Sequence, residues 1–95
     1  MKQILTKIKN GEILNSEEVE KIVFSNLLKI DEILLGTVVN CIEDLKTVIE
    51  IENKYYAFYW HRSLIDARDN KYPSQKLKEV MPFEELIPVI TWREL

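Results

Sequence analysis

The stretch KTVIEIENKYYAFYWH, residues 46 to 61, constrains the fold more than any other part of this chain, because its polarity alternates with a period of two. A helix would scatter these apolar residues around its axis, whereas a strand sends them to one side. Asn53 tolerates the left-handed backbone of a tight turn, so the stretch predicts a β-hairpin turning at Asn53-Lys54. That turn would set Ile51 opposite Tyr56, Ile49 opposite Phe58 and Thr47 opposite Trp60. Ile49, Ile51, Tyr56, Phe58 and Trp60 then share a face fit for a core, while Glu50, Glu52, Tyr55, Tyr59 and His61 share a half-polar one.

Upstream, the patterns are helical. Ile4, Leu5 and Ile8 fall at helical spacing, in a short helix ending near Asn10-Gly11. In LNSEEVEKIVFSNLL, Asn15 reads as an N-cap with Glu18 at the third helical position, and Leu14 can staple against Val19. This second helix buries Val19, Ile22 and Val23 and ends near Asn26. Between the helices and the hairpin, Ile33, Leu34, Val38, Val39, Ile42 and Leu45 can form a helical stripe interrupted by Gly36, while Thr37-Val38-Val39 favours extended chain. Helix or mixed structure is expected over 30–45. Downstream, IDARDNKYPSQ reads as a loop, KLKEVMPF as a short strand with Pro82 at its end or edge, and IPVITWREL as a last strand. There Val89 and Thr91 would share one face, Ile90 and Trp92 the other. The sum is one α+β domain over residues 1–95, with N-terminal helices packed on a small antiparallel sheet of three or four strands.

Several chemistries lack their residues. Only two glycines are present, Gly11 and Gly36, so no phosphate-cradling loop of the nucleotide-binding kind can be built. His61 is the only histidine, which leaves no multi-histidine metal site. DARDN at 66–70 lacks the glycine and the terminal glutamate of a calcium loop. Cys41, the single cysteine, forms no internal disulfide, which points to a reducing compartment. A nucleophile built from Cys41 and His61 would be the only foothold for catalysis. No signal peptide and no apolar run of membrane-spanning length is evident. The expectation is a cytoplasmic, non-enzymatic protein with no catalytic residue, cofactor or metal, and with no membrane partner.

Two modes of contact are left. Residues 46–78 carry seven Lys and Arg against four Asp and Glu, between two acidic flanks. Lys46, Lys54, Arg62, Arg68, Lys71, Lys76 and Lys78 interleave there with Tyr55, Tyr59 and Tyr72, a composition that suits single-stranded nucleic acid. Against that, the chain is acidic overall, with a net charge of −3, and Phe58 and Trp60 face inward with the isoleucines. A protein partner is the leading expectation, with Tyr55, Tyr59, His61 and Arg62 as its candidate contacts, since Tyr and Arg are enriched among interface anchors.

From residue 46 to 92 the chain resembles a group of short proteins carried by phages and prophages of low-GC Gram-positive bacteria. The resemblance rests on Ile49, Ile51, Tyr55, Tyr56, Trp60, Leu64, Asn70, Tyr72, Gln75, Glu79 and Val80. Ser63 stands where a glycine is common, and the Gln75-to-Glu79 spacing is about one residue longer. The resemblance implies a mobile-element accessory protein of the bacterial host cytoplasm. An inhibitor of a defence system such as a CRISPR nuclease fits its size, with occlusion by a sheet edge and acidic helices. A small nucleic-acid-binding accessory factor using segment 46–78 is the alternative.

Overall fold

In the computed structural model, which describes residues 1–25, 28–36, 41–84 and 90–95, the hairpin forms with its turn one residue earlier than expected. Strands β3 (Ile42–Ile51) and β4 (Lys54–Ser63) pair from Ile51 opposite Lys54 to Ile42 opposite Ser63. The turn residues Glu52 and Asn53 both have positive φ, 50° and 66°. A two-residue hairpin turn of this hand needs the left-handed region at both central positions, and Asn53 takes the second of them. Each residue's partner therefore shifts by two: Ile49 faces Tyr56, Thr47 faces Phe58 and Leu45 faces Trp60. A shift of two preserves the faces, so the inward set stays as the alternation assigns it.

That inward face is the main core. Leu45, Ile49, Ile51, Tyr56, Phe58 and Trp60 pack against Ile4, Ile8, Val19 and Ile22 of the two helices. Helix α1 spans Lys2–Lys9 and stops at Asn10 and Gly11, the latter with φ of 70°. Helix α2, Ser16–Val23, carries the expected capping box: Asn15 Oδ1 accepts the Glu18 N–H at 2.9 Å and Glu18 Oε1 accepts the Asn15 N–H at 3.1 Å. Leu14 and Val19, the stapling pair, are fully buried. The helix ends at Val23, short of Asn26, which lies outside the described residues. Inside the core, Trp60 Nε1 donates to Thr47 Oγ1 at 2.9 Å, so the buried indole N–H has a partner.

The expected architecture is overturned. The described residues are mostly sheet: a five-stranded antiparallel meander in the order β2-β3-β4-β6-β7, a separate two-stranded sheet of β1 with β5, and, among the described residues, two short α-helices and one 3-10 turn at Ala67–Asp69. Strand β2 (Lys29–Leu34) occupies the segment expected as helix or mixed structure. Its alternation is hidden in the sequence by a bulge, since Lys29 faces Ile49 but Asp31 already faces Val48. Residues 37–40, including the Thr37-Val38-Val39 run, lie outside the described residues. Strand β6 (Lys78–Glu84) falls on the KLKEVMPF segment expected as a strand, with Pro82 two residues from its end, and it pairs on both sides, with β4 through Val80 and with β7 (Ile90–Glu94) through Pro82 opposite Trp92. Val89 lies outside the described residues. Strands β1 (Ile13–Leu14) and β5 (Gln75–Lys76) are two residues each, too short for any periodicity to show.

The second face of the meander is not simply solvated. The sheet curls over it, bringing outer strands β2 and β7 together: Trp92 Nε1 donates to Asp31 Oδ2 at 2.7 Å, and Lys46 Nζ donates to the Trp92 carbonyl at 3.3 Å. Beneath Trp92 lies a small second core of Val48, Ala57, Val80 and part of Tyr55.

Candidate protein-contact surface

The curl closes only the half of the second face nearest the Glu52-Asn53 turn. Towards the other end of the hairpin, Tyr59 opposite Lys46 and His61 opposite Asp44 remain open to solvent. The alternation that places Tyr56, Phe58 and Trp60 inward puts these side chains outward. Tyr59 is 38% exposed, and its main chain is held by an unusual partner: the Gln75 side-chain amide accepts the Tyr59 N–H at 2.9 Å and donates to its carbonyl at 2.6 Å. His61 exchanges two main-chain hydrogen bonds of 2.9 Å with Lys71, and Asn70 Oδ1 accepts the Ser63 N–H at 2.7 Å. The segment 70–75 thus completes the outer edge of β4 with two side-chain amides and one backbone bridge.

The four candidate residues separate. His61 Nδ1 lies 2.6 Å from Asp44 Oδ1 in a solvated pair. Tyr55 is drawn into the second core, its ring 5.1 Å from that of Trp92. Hydrogen bonding to the Glu50 carboxylate, then that carboxylate's charge, raises the Tyr55 hydroxyl above its ordinary pKa. Arg62 projects from the opposite face: its Nε and Nη2 donate to Glu43 Oε1 at 3.1 and 2.8 Å, and Nη1 stands 3.6 Å from Glu32 Oε2. Glu43 is 8% exposed, so the guanidinium serves to keep a buried carboxylate paired. Tyr59 and His61 therefore share a surface; Tyr55 and Arg62 do not join it.

The end of the sheet beyond them is apolar. Leu35 donates its N–H to the Asp44 carbonyl, Leu64 donates its N–H to the Cys41 carbonyl, and Ile42 pairs with Ser63. These bonds bring Leu35, Ile42, Leu64 and Ile65 to one end of β2, β3 and β4, where they are 50%, 37%, 53% and 79% exposed. Contiguous exposed apolar side chains rimmed by polar ones mark contact surfaces more often than scattered ones do. The signal in the sequence was Leu64-Ile65, two large aliphatics stranded between a strand and a run of turn formers.

Cys41 is exposed and free, and it lies just before β3, three residues ahead of Asp44, the residue paired with His61. The imidazole is bonded to Asp44 instead. Among the described residues no group of three or more His, Cys, Asp or Glu could hold a metal, and no helix is long and apolar enough to cross a membrane. Part of the basic segment is engaged within the chain: Arg68 Nη2 sits 2.7 Å from Asp66 Oδ2, which holds the Asp66 carboxyl below its usual range, while Arg62 and Lys46 are engaged as described. The free edge of β2 is blunted too, since Glu32 donates its main-chain N–H to Asp31 Oδ1 at 2.8 Å beside the bulge.

Comparisons of the chain with protein-family models, with curated proteins and with solved structures find no match.

Proposed function

We propose that this chain is a non-enzymatic accessory protein of a phage or related mobile element, working in the host cytoplasm by binding a bacterial protein. Inhibition of a defence nuclease of the CRISPR kind is the form the resemblance favours. The observation that carries the reading is the exposed apolar end of β2, β3 and β4, continued by Tyr59 and His61. Burying such side chains is the main source of free energy in protein association, and Tyr at the margin suits an interface. The capped edge of β2 argues for contact through side chains rather than through strand addition. The packing of Tyr55 under Trp92 and the engagement of Arg62 and Lys46 weigh against a stacking platform for single-stranded nucleic acid.

The test is capture of a protein from host lysate by the tagged wild-type chain, repeated with Leu64→Asp/Ile65→Asp. Both side chains are exposed, so the double variant should keep its urea midpoint while losing the partner. No specific capture by wild type, or equal capture by the variant, rejects the surface.

A further inference from the structure

At the opposite end of the hairpin, some nine strand positions or about 30 Å from the apolar end, lies a cleft of about 350 Å³ whose mouth carries four lysines. Lys9 comes from the end of α1, Lys54 from the start of β4, Lys76 from β5 and Lys78 from β6. Four separate elements thus bring ammonium groups to one concavity. The buried residues Ile8, Tyr56 and Leu77 also line it. Two of the lysines are neutralised: Lys9 Nζ lies 2.6 Å from Glu52 Oε1, and Lys78 Nζ lies 3.2 Å from Glu94 Oε1. Lys54 and Lys76 make no ion pair among the described residues.

Lys76 is also positioned. A Cβ on Gly11 would stand 3.3 Å from Lys76 Cε and 3.6 Å from its Nζ, so the bare glycine lets the lysine stem lie against the chain where α1 ends. The C-terminal end of a helix favours cations, and this offsets part of the repulsion among gathered ammonium groups. Glu79 also lines the cleft, so its lining side chains set four lysines against Glu79 and Glu94, an excess of two positive charges.

We propose that this cleft binds a phosphoryl-bearing anion of at least two negative charges. Lysine ammoniums converging from different directions suit the tetrahedral spread of phosphate oxygens, whereas a planar carboxylate is better served by an arginine fork. The volume is that of a small-ligand site. This inference is independent of the contact surface at the other end.

The experiment is calorimetric titration of the full chain with pyrophosphate at low ionic strength, beside Lys54→Gln, Lys76→Gln, Gly11→Ala and Lys71→Gln. Lys54→Gln and Lys76→Gln should each weaken binding about tenfold, as expected for loss of one charge-assisted contact. Lys71→Gln, on the outer edge of β4 and away from the cleft, should leave binding unchanged. Gly11→Ala both strains the left-handed turn and crowds the Lys76 stem, so it should weaken binding less than Lys76→Gln does, with folding checked by circular dichroism. A short single-stranded oligonucleotide separates the sources of phosphate: binding with the same dependence on Lys54 and Lys76 places it on a polymer, and binding of pyrophosphate alone places it on a small molecule. No heat with either probe at millimolar concentration, or equal weakening by Lys71→Gln, overturns the site.

Discussion

Removing Asp31 should loosen the curl and expose the edge in one step. Its Oδ2 accepts the Trp92 indole N–H at 2.7 Å across the open side of the sheet, and its Oδ1 accepts the Glu32 main-chain N–H at 2.8 Å. A hydrogen bond to a charged group contributes about 1.5–3 kcal/mol, and the partly wet setting places the Trp92 bond toward the lower end of that range. Trp92→Phe deletes the donor while keeping most of the ring contact with Tyr55. A double-mutant cycle of Asp31→Ala with Trp92→Phe should therefore return a coupling of about 1–2 kcal/mol. Asp31→Ala alone should cost about 1.5–3 kcal/mol, roughly 8–15 °C in Tm for a domain of this size. Urea unfolding followed by far-ultraviolet circular dichroism is the assay, since a tryptophan is being removed. Effects that add to within about 0.5 kcal/mol would show that the two side chains do not hold the sheet together. A second arm uses the other oxygen: with Glu32's N–H uncapped, Asp31→Ala should self-associate with rising concentration in sedimentation velocity. A variant that stays monomeric refutes the guarding role.

Other consequences are simpler to measure. Asn15→Ala removes the cap of α2 and should lower unfolding stability by about 1 kcal/mol in urea. Thr47→Val strands the buried Trp60 indole N–H and should cost about 1–3 kcal/mol, read in the same assay. Glu18 titrates below the ordinary glutamate range, first because of the Asn15 main-chain N–H and then because of the Lys7 ammonium. A carboxyl whose folded pKa is depressed contributes stability above its unfolded pKa and loses it as pH falls through the folded value. Glu18→Gln should accordingly flatten the acid limb of the stability curve, and Lys7→Gln, which removes the ammonium, should move the Glu18 midpoint upward in a carbon-detected NMR titration.

Local signals were legible where one element explains its own residues. The Asn15-Glu18 capping box, the Leu14-Val19 staple and the inward set of the hairpin depend on contacts within a few residues or on period alone. Strand β2 was not legible, because a single bulge at Ile30 breaks the alternation and leaves Ile33 and Leu34 mimicking a helical pair. The strap 70–75 reads as a loop because its pairing with β4 is made by the Asn70 and Gln75 side chains and a single main-chain bridge at Lys71 rather than by a strand ladder. Among the candidate contacts, Arg62 could have been set apart from Tyr59 and His61 by parity, since it shares the period of Trp60. Tyr55 could not, because its burial comes from Trp92, a residue 37 positions away in the chain.

The amino-acid order by itself determined which residues of the hairpin face inward and where α2 begins, because side-chain alternation and capping are properties of short stretches. The tertiary structure decided the rest. How many strands join, how far the sheet curls, and whether an aromatic stands open or covered all depend on β2 meeting β7 through Asp31 and Trp92. That contact joins residues 61 positions apart, and no local period records it.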